Sequence, residues 1–250
     1  MNSVLRGLMS AALSLSLMGM AHAQGTDLPV AQQKALQQKL SQRLPSLPPI
    51  ESIRVTPMNG LFELKVGNSV IYTDATGEYI IEGHILETRS QRDLTAERLE
   101  EINRVAFNNF PFQDAIVWKN GTGKRRLVVF ADPNCKYCKH LEQELQKVKD
   151  VTVYTLLLPI LGADSQAKAE NIWCLKDRTA AWRDWMLENK APARLFGQCA
   201  TPLQRNLQLA QRLSVNGTPA MFFEDGSRLA AAASLATIEQ RLDQATKATR

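Results

Sequence analysis

The 250-residue chain is predicted to fold as two units. The first is a small α+β domain of one helix and an antiparallel sheet. The second, beyond a linker helix, is an α/β domain with a helical insertion. Three observations predict this. The pairs Asn59-Gly60, Gly67-Asn68 and Thr76-Gly77 punctuate a series of short strand-like runs early in the chain. A charged, helix-prone stretch follows them. Further on, the strand-like run Arg125–Ala131 leads into a helix and then a second strand-like run, Val151–Leu158, which is the order of a β-α-β unit.

Each element can be justified in turn. Arg6, the apolar stretch Leu8–Met20 and Ala21-His22-Ala23 form a basic region, a short hydrophobic region and an A-x-A cleavage site. Residues 1–23 are therefore expected to be a cleaved signal peptide, with the processed chain starting at Gln24. The apolar run is shorter than the ~20 residues a spanning helix needs, and no later stretch is long and apolar enough. The product is expected to be exported and soluble. Residues 24–90 are expected to form the first domain. In it, Leu28–Leu44 reads as an amphipathic helix with Leu36, Leu40 and Leu44 one turn apart, stopped by Pro45, Pro48 and Pro49. Strands are expected over Ile50–Thr56, Leu61–Val66, Ser69–Thr73 and Tyr79–Leu86. So thin a layer gains stability by pairing with a copy of itself or by packing on the rest of the chain. Residues 91–114 are expected to be the linker helix, with Leu99, Ile102 and Val105 on one face. The second domain spans 115–250, starting with strands Ala115–Lys119 and Arg125–Ala131 around the Asn120–Gly123 turn. A helix opening at Cys135 and running to about Val148 precedes Val151–Leu158. A mainly helical insertion, about Ser165–Gln211, then leads to the strand Met221–Glu224 and a last helix marked by Leu235, Ile238 and Leu242.

Thirty basic and 25 acidic residues leave a formal charge of +5, but the basic residues are scattered among acidic ones. Without a basic-aromatic patch, no nucleic-acid partner is expected. Four cysteines in an exported chain are expected to pair, Cys135 with Cys138 and Cys174 with Cys199. The competing reading of the close pair is zinc. Beyond the signal peptide only His84 and His140 remain, and there is no second C-x-x-C, so neither a metal site nor a cofactor is expected.

The chemistry centres on Cys135-Lys136-Tyr137-Cys138. A C-x-x-C within a β-α-β unit reads as a thioredoxin-like redox motif at the carboxyl end of a strand, where open α/β sheets place their sites. Unpaired N–H groups and the helix dipole favour a thiolate at the helix mouth. Cys135 is therefore expected to be the exposed nucleophile, and Cys138, one turn on, the buried resolving thiol. Asn134 is the expected N-cap, entered through Pro133. Lys136, Tyr137 and the nearby Lys139 are expected to tune the dithiol, the lysines by favouring the thiolate and hence a more oxidising couple. Thr218-Pro219 is the second component, because a cis-proline loop beside the dithiol offers backbone groups to an extended substrate segment. Cys174–Cys199 is expected to be a structural bridge closing the insertion.

With these residues in hand, the chain resembles the periplasmic DsbC/DsbG family of thiol:disulfide interchange proteins. The likeness runs through Gly60-Leu61-Phe62, Tyr79-Ile80-Ile81-Glu82-Gly83, Val128-Val129-Phe130-Ala131-Asp132 and the dithiol, then Ile172-Trp173-Cys174 and Gly217-Thr218-Pro219. The resemblance implies a cystatin-like N-terminal dimerisation domain, a V-shaped homodimer, and two thioredoxin-like catalytic domains facing a cleft for misfolded, disulfide-containing exported proteins. It also implies a membrane thiol reductase of the DsbD type as electron donor. By position, Cys135 is the implied nucleophile, Cys138 the resolving cysteine, Thr218-Pro219 the substrate-binding loop and Cys174–Cys199 the structural bridge. Family dithiols more often carry Gly or Pro after the first cysteine, so Lys136 is a departure that bears on redox potential. The expected function is a periplasmic disulfide isomerase. Its rivals are a DsbG-like reductase of sulfenic-acid cysteines and a thiol-independent chaperone.

Overall fold

The computed structural model describes residues 26–194, 197 and 199–249, so the expected signal peptide lies outside the described residues. The chain divides into two compact units between Gly83 and His84.

In the first unit, α1 (Val30–Arg43) starts after Pro29 and stops short of Pro45, because the residue before a proline is pushed out of the helical region. The strands β1 (Ile50–Val55), β2 (Leu61–Val66), β3 (Ser69–Asp74) and β4 (Ile80–Ile81) form an antiparallel sheet in chain order. Leu36 and Leu40 of α1 pack with Leu28, Ile53 and Leu64 in one small core. Gly77 allows α1 to come this close. Its φ is +70°, and a Cβ there would sit 3.0 Å from Leu36 Cδ1. Expected to run from Tyr79 to Leu86, the fourth strand is only two residues long. Gly83, which weakens a strand interior, follows it closely.

The second unit opens with a short hairpin, β5 (Leu86–Glu87) and β6 (Arg92–Asp93), leading into α2 (Leu94–Ile102). Asp93 caps α2 by accepting from the Ala96 N–H at 2.8 Å. The stretch read as a linker helix is thus α-helical over only nine residues. Beyond it, Phe107–Asn109 and Phe112–Asp114 form single 3₁₀ turns either side of Pro111. They break the helix so that Phe107 and Phe110 can enter the aromatic core around Phe130 and Phe222. Asp114, buried at the end of this segment, is held by a two-pronged hydrogen bond from Arg205 at 2.7 and 2.8 Å.

The main sheet contains β7 (Ile116–Asn120), β8 (Arg125–Ala131), β9 (Val151–Leu157), β10 (Ala220–Phe223) and β11 (Arg228–Leu229). Its spatial order is β11-β10-β8-β9-β7. The pair β8 and β9 is parallel, joined by α3 (Lys136–Leu145), and all other neighbours are antiparallel. The expected β-α-β unit is therefore present, with α3 ending at Leu145. Helices cover both faces, and β8 is apolar and buried from Leu127 to Ala131 for that reason. Leu127, Val129 and Ala131 point into one core with α3 and α7 (Leu235–Ala248), while Val128 and Phe130 point into the other. The insertion is three helices, α4 (Ala163–Cys174), α5 (Arg178–Glu188) and α6 (Leu203–Arg212). The described residues between Lys190 and Pro202 are not helical, because Asn189, at φ +57°, ends α5 and Pro192 and Pro202 follow. Among the described residues, no helix is long and apolar enough to cross a membrane.

Candidate active site

At the carboxyl end of β8 the chain turns through Asp132, Pro133 and Asn134 into α3. Asp132 is fully buried. Its Oδ1 accepts from the Asn134 N–H at 2.7 Å and the Ser165 hydroxyl at 2.8 Å, and its Oδ2 accepts from the N–H groups of Ile160 and Leu161 at 2.8 and 2.9 Å. Its carbonyl accepts from Cys135 N–H at 3.1 Å. One carboxylate therefore ties the turn to the loop after β9 and to the first turn of α4. Four donors satisfy a charge that would be costly to bury alone. The sequence motif included Asp132 but gave it no role. Its signal is an acidic residue directly after the apolar end of a strand, three positions before a cysteine.

The N-cap of α3 is Cys135, not Asn134. The Cys138 N–H donates to Cys135 Sγ at 3.3 Å, so the sulfur takes the place a cap oxygen usually fills. Asn134 is drawn away because its side-chain amide donates to Asp164 at the start of α4, at 2.6 Å. On its other side the Cys135 thiol donates to the Thr218 carbonyl at 3.3 Å. Thr218-Pro219 is a cis peptide bond, and the next residue, Ala220, pairs with Phe130 of β8. That register sets the proline loop against the dithiol, and the loop covers Cys135 to 5% exposure. The expectation of an exposed thiol is corrected accordingly. Cys138 is more deeply enclosed. Burial pushes its thiol well above the ordinary cysteine range, and the hydrogen bond shared with Cys135 adds to the shift.

The tuning residues separate. Lys136 and Tyr137 lie exposed on the first turn of α3, Tyr137 at 67%. Lys139 is turned away from the dithiol, with its ammonium 3.8 Å from the centre of the Trp185 ring and donating to Asn189 Oδ1 at 2.6 Å. Burial lowers its pKa, and neighbouring Lys168 adds to this. Trp185 itself, on α5, donates its indole N–H to the Pro133 carbonyl at 2.6 Å and so clamps the active-site turn. Sequence reasoning missed it, since nothing local links residues 133 and 185. Glu142 sits one turn after Cys138 on the same helix, buried. Burial lifts its carboxyl to about 7, against the pull of the Trp182 indole N–H, which donates to it at 3.2 Å, and of the Arg183 charge.

Cys174, the last residue of α4, and Cys199 form a disulfide. It lies away from the dithiol, since α4 starts at the active-site turn and its twelve residues extend about 18 Å. Beside it, the Trp173 indole N–H donates to the Ala200 carbonyl at 3.2 Å, and Arg178 stacks 3.9 Å over the Trp173 ring.

Comparison with known proteins fits both units. Residues 28–96 match the disulfide bond isomerase protein N-terminal domain, and residues 112–246 match the thioredoxin-like domain. A probable thiol:disulfide interchange protein DsbC of Bordetella parapertussis is 37% identical over 214 residues, covering 86% of this chain and 75% of its own. The thiol:disulfide interchange protein DsbC of Escherichia coli K12 is 28% identical over 183 residues, covering 70% and 73%. A disulfide interchange protein from Neisseria gonorrhoeae, solved by crystallography, superposes with a TM-score of 0.52 at 35% identity. It covers 54% of this chain and 98% of that one. A redox-type dithiol at the end of β8, joined to an N-terminal domain of this kind, places the chain in the DsbC family of thiol:disulfide interchange proteins.

Proposed function

We propose that this chain is a periplasmic protein disulfide isomerase in which Cys135 is the nucleophile and Cys138 the resolving thiol. The observation that carries the reading is the position of Cys135 Sγ. It takes the Cys138 N–H at 3.3 Å, where a thiolate gains most from a helix N-terminus, and lies against the Thr218 carbonyl of the proline loop. The Cys135 thiolate attacks one sulfur of a wrong substrate disulfide. A new S–S bond forms between them, and the other substrate sulfur leaves as thiolate. That thiolate can attack another substrate disulfide, and a later substrate thiolate displaces Cys135, so the disulfide count is unchanged. Alternatively, Cys138 loses its proton and attacks the mixed disulfide. Two electrons then pass to the substrate, and Cys135 and Cys138 become a disulfide. The elevated Cys138 thiol remains protonated at neutral pH. That delays this exit and gives the substrate time to rearrange.

A dithiol left oxidised by the second exit needs an electron donor, for which a membrane thiol reductase of the DsbD type is the proposed partner. Residues 24–90 are proposed to dimerise. Their core is small, and Tyr79 and Ile81 stand exposed at the short edge strand β4. The proposed clients are misfolded exported proteins with mispaired cysteines.

The test is reactivation of scrambled ribonuclease by the pre-reduced processed protein. Recovery that disappears in Cys135→Ser supports isomerisation. No recovery from a demonstrably reduced dithiol rejects it and redirects the reading to sulfenic-acid reduction or thiol-independent chaperoning.

A further inference from the structure

Two loops flank Cys135, and only one of them has a role so far. The Thr218-Pro219 loop lies on the β10 side of β8. On the β9 side, Leu158–Leu161 leaves the sheet beside the same turn, with the Leu158 N–H donating to Ala131 O at 2.9 Å and Ile160 and Leu161 anchored on Asp132. This anchoring points two bulky apolar side chains into solvent, Ile160 at 41% and Leu161 at 58% exposure. Behind them is a pocket of about 140 Å³. Leu158, Ile160, Leu203 and Leu207 supply its apolar lining, Gln166 and Gln204 stand among its polar groups, and none of the described residues that line it is charged.

Resting on the dithiol reading, we propose that this pocket and its Ile160-Leu161 lip are a specificity subsite that takes one bulky apolar side chain of the substrate near the cysteine under attack. Three observations fit that occupant. The volume suits a single Leu- or Phe-sized side chain rather than a folded surface. The described lining residues are neutral, with amides and a hydroxyl but no opposite charge, so a Lys or Asp would find no counter-ion there to offset its lost water. The pocket is also joined to the nucleophile through one residue, since Asp132 bonds Cys135 N–H through its carbonyl and Ile160 and Leu161 through its carboxylate. A substrate side chain two or three residues from the reacting cysteine, ~7–10 Å along an extended chain, is the one offered to this lip. Misfolded chains expose apolar residues near mispaired cysteines, whereas native surfaces bury them. The subsite would therefore direct the dithiol toward wrong disulfides. Asp132 acts as a positioning residue for it, holding lip and nucleophile in one frame.

The test uses the pre-reduced full processed chain and synthetic octapeptides, each with one cysteine as its mixed disulfide with glutathione. One set carries Leu two or three residues from the cysteine on either side, the other Ser at the same places. The readout is the ratio of the two second-order rates within each protein, which a change in intrinsic thiol reactivity does not move. The expected ratio is about tenfold in favour of Leu, the discrimination a single apolar pocket provides. It should fall below about twofold in Ile160→Ser/Leu161→Ser and in Gln204→Trp, which fills the pocket from an exposed position. A ratio near one in the parent, or one that survives both variants, overturns the subsite while leaving the dithiol reading intact. Failure of the reduced parent to react with oxidised glutathione as well rejects both.

Discussion

Replacing Glu142 with Gln changes how the second unit's stability depends on pH, by an amount set by burial. The folded carboxyl titrates near 7, while an unperturbed glutamate titrates at 4.5. Between those values the folded state holds a proton that the unfolded chain has released. Stability therefore falls as pH rises through this window, and the loss is complete above 7. At 1.36 kcal/mol per unit, the separation corresponds to about 3 kcal/mol. Gln is nearly isosteric, carries no charge, and keeps an oxygen to accept from Trp182. The variant should match the parent near pH 4.5, gain steadily through pH 7, and be about 3 kcal/mol more stable at pH 8. Asp74, Asp93, Asp150 and Asp164 have lowered pKa values and give the opposite trend, with stability lost as pH falls, but they are common to both proteins and cancel in the difference. The assay is urea unfolding followed by tryptophan fluorescence from pH 4.5 to 8, with the dithiol in the same redox state in both proteins. All four tryptophans, Trp118, Trp173, Trp182 and Trp185, lie in the second unit, so the signal reports on that unit alone. A stability difference that stays flat across this range would refute the reasoning, since the buried carboxyl would then carry no displaced titration.

Cys135→Ser should abolish turnover, and Cys138→Ser should accumulate mixed disulfides visible on a non-reducing gel; a clean gel counts against its resolving role. Asp132→Ala strands four donors and should cost about 3 kcal/mol or more in urea unfolding, whereas a loss under 1 kcal/mol would mean that water replaces the carboxylate at little cost. Trp185→Phe keeps a ring for Lys139 but removes the donor to the Pro133 carbonyl, and should cost about 1 kcal/mol. Exchanging both Cys174 and Cys199 for Ser opens a link spanning 25 positions and should lower stability by about 3 kcal/mol on the chain-entropy account, read as a lower unfolding midpoint.

The elements set by local pattern were legible. The apolar run of β8, the helix after it and the parallel β9 follow from periodicity and length, and they locate the dithiol without tertiary information. The position of Thr218-Pro219 beside it follows once β10 is known to pair with β8. What escaped depends on partners distant in sequence. Asn134 has the chemistry of an N-cap, yet Asp164, thirty positions away, competes for its amide and leaves the role to a sulfur. Lys139 sits within a turn of Cys135, yet the face of Trp185 and the Asn189 side chain hold its charge elsewhere. The segment from 91 to 114 carries helical periodicity, but burying Phe107 and Phe110 favours two tight turns over a continued helix. In each case a long-range contact overrode a sound local preference.

The strand that carries the dithiol is the middle one of three, β10, β8 and β9, that contribute to both hydrophobic layers. Leu127, Val129 and Ala131 complete one layer and Val128 and Phe130 the other, with β9 and β10 hydrogen-bonded on either side. No partial opening of this unit can release β8 without exposing both layers. Its amide protons should therefore exchange with solvent only through complete unfolding of this unit, putting them among the slowest in it. The cysteines hang from the most reluctant segment of the chain, so a bound substrate can be pulled and rearranged while the sulfur holding it stays still.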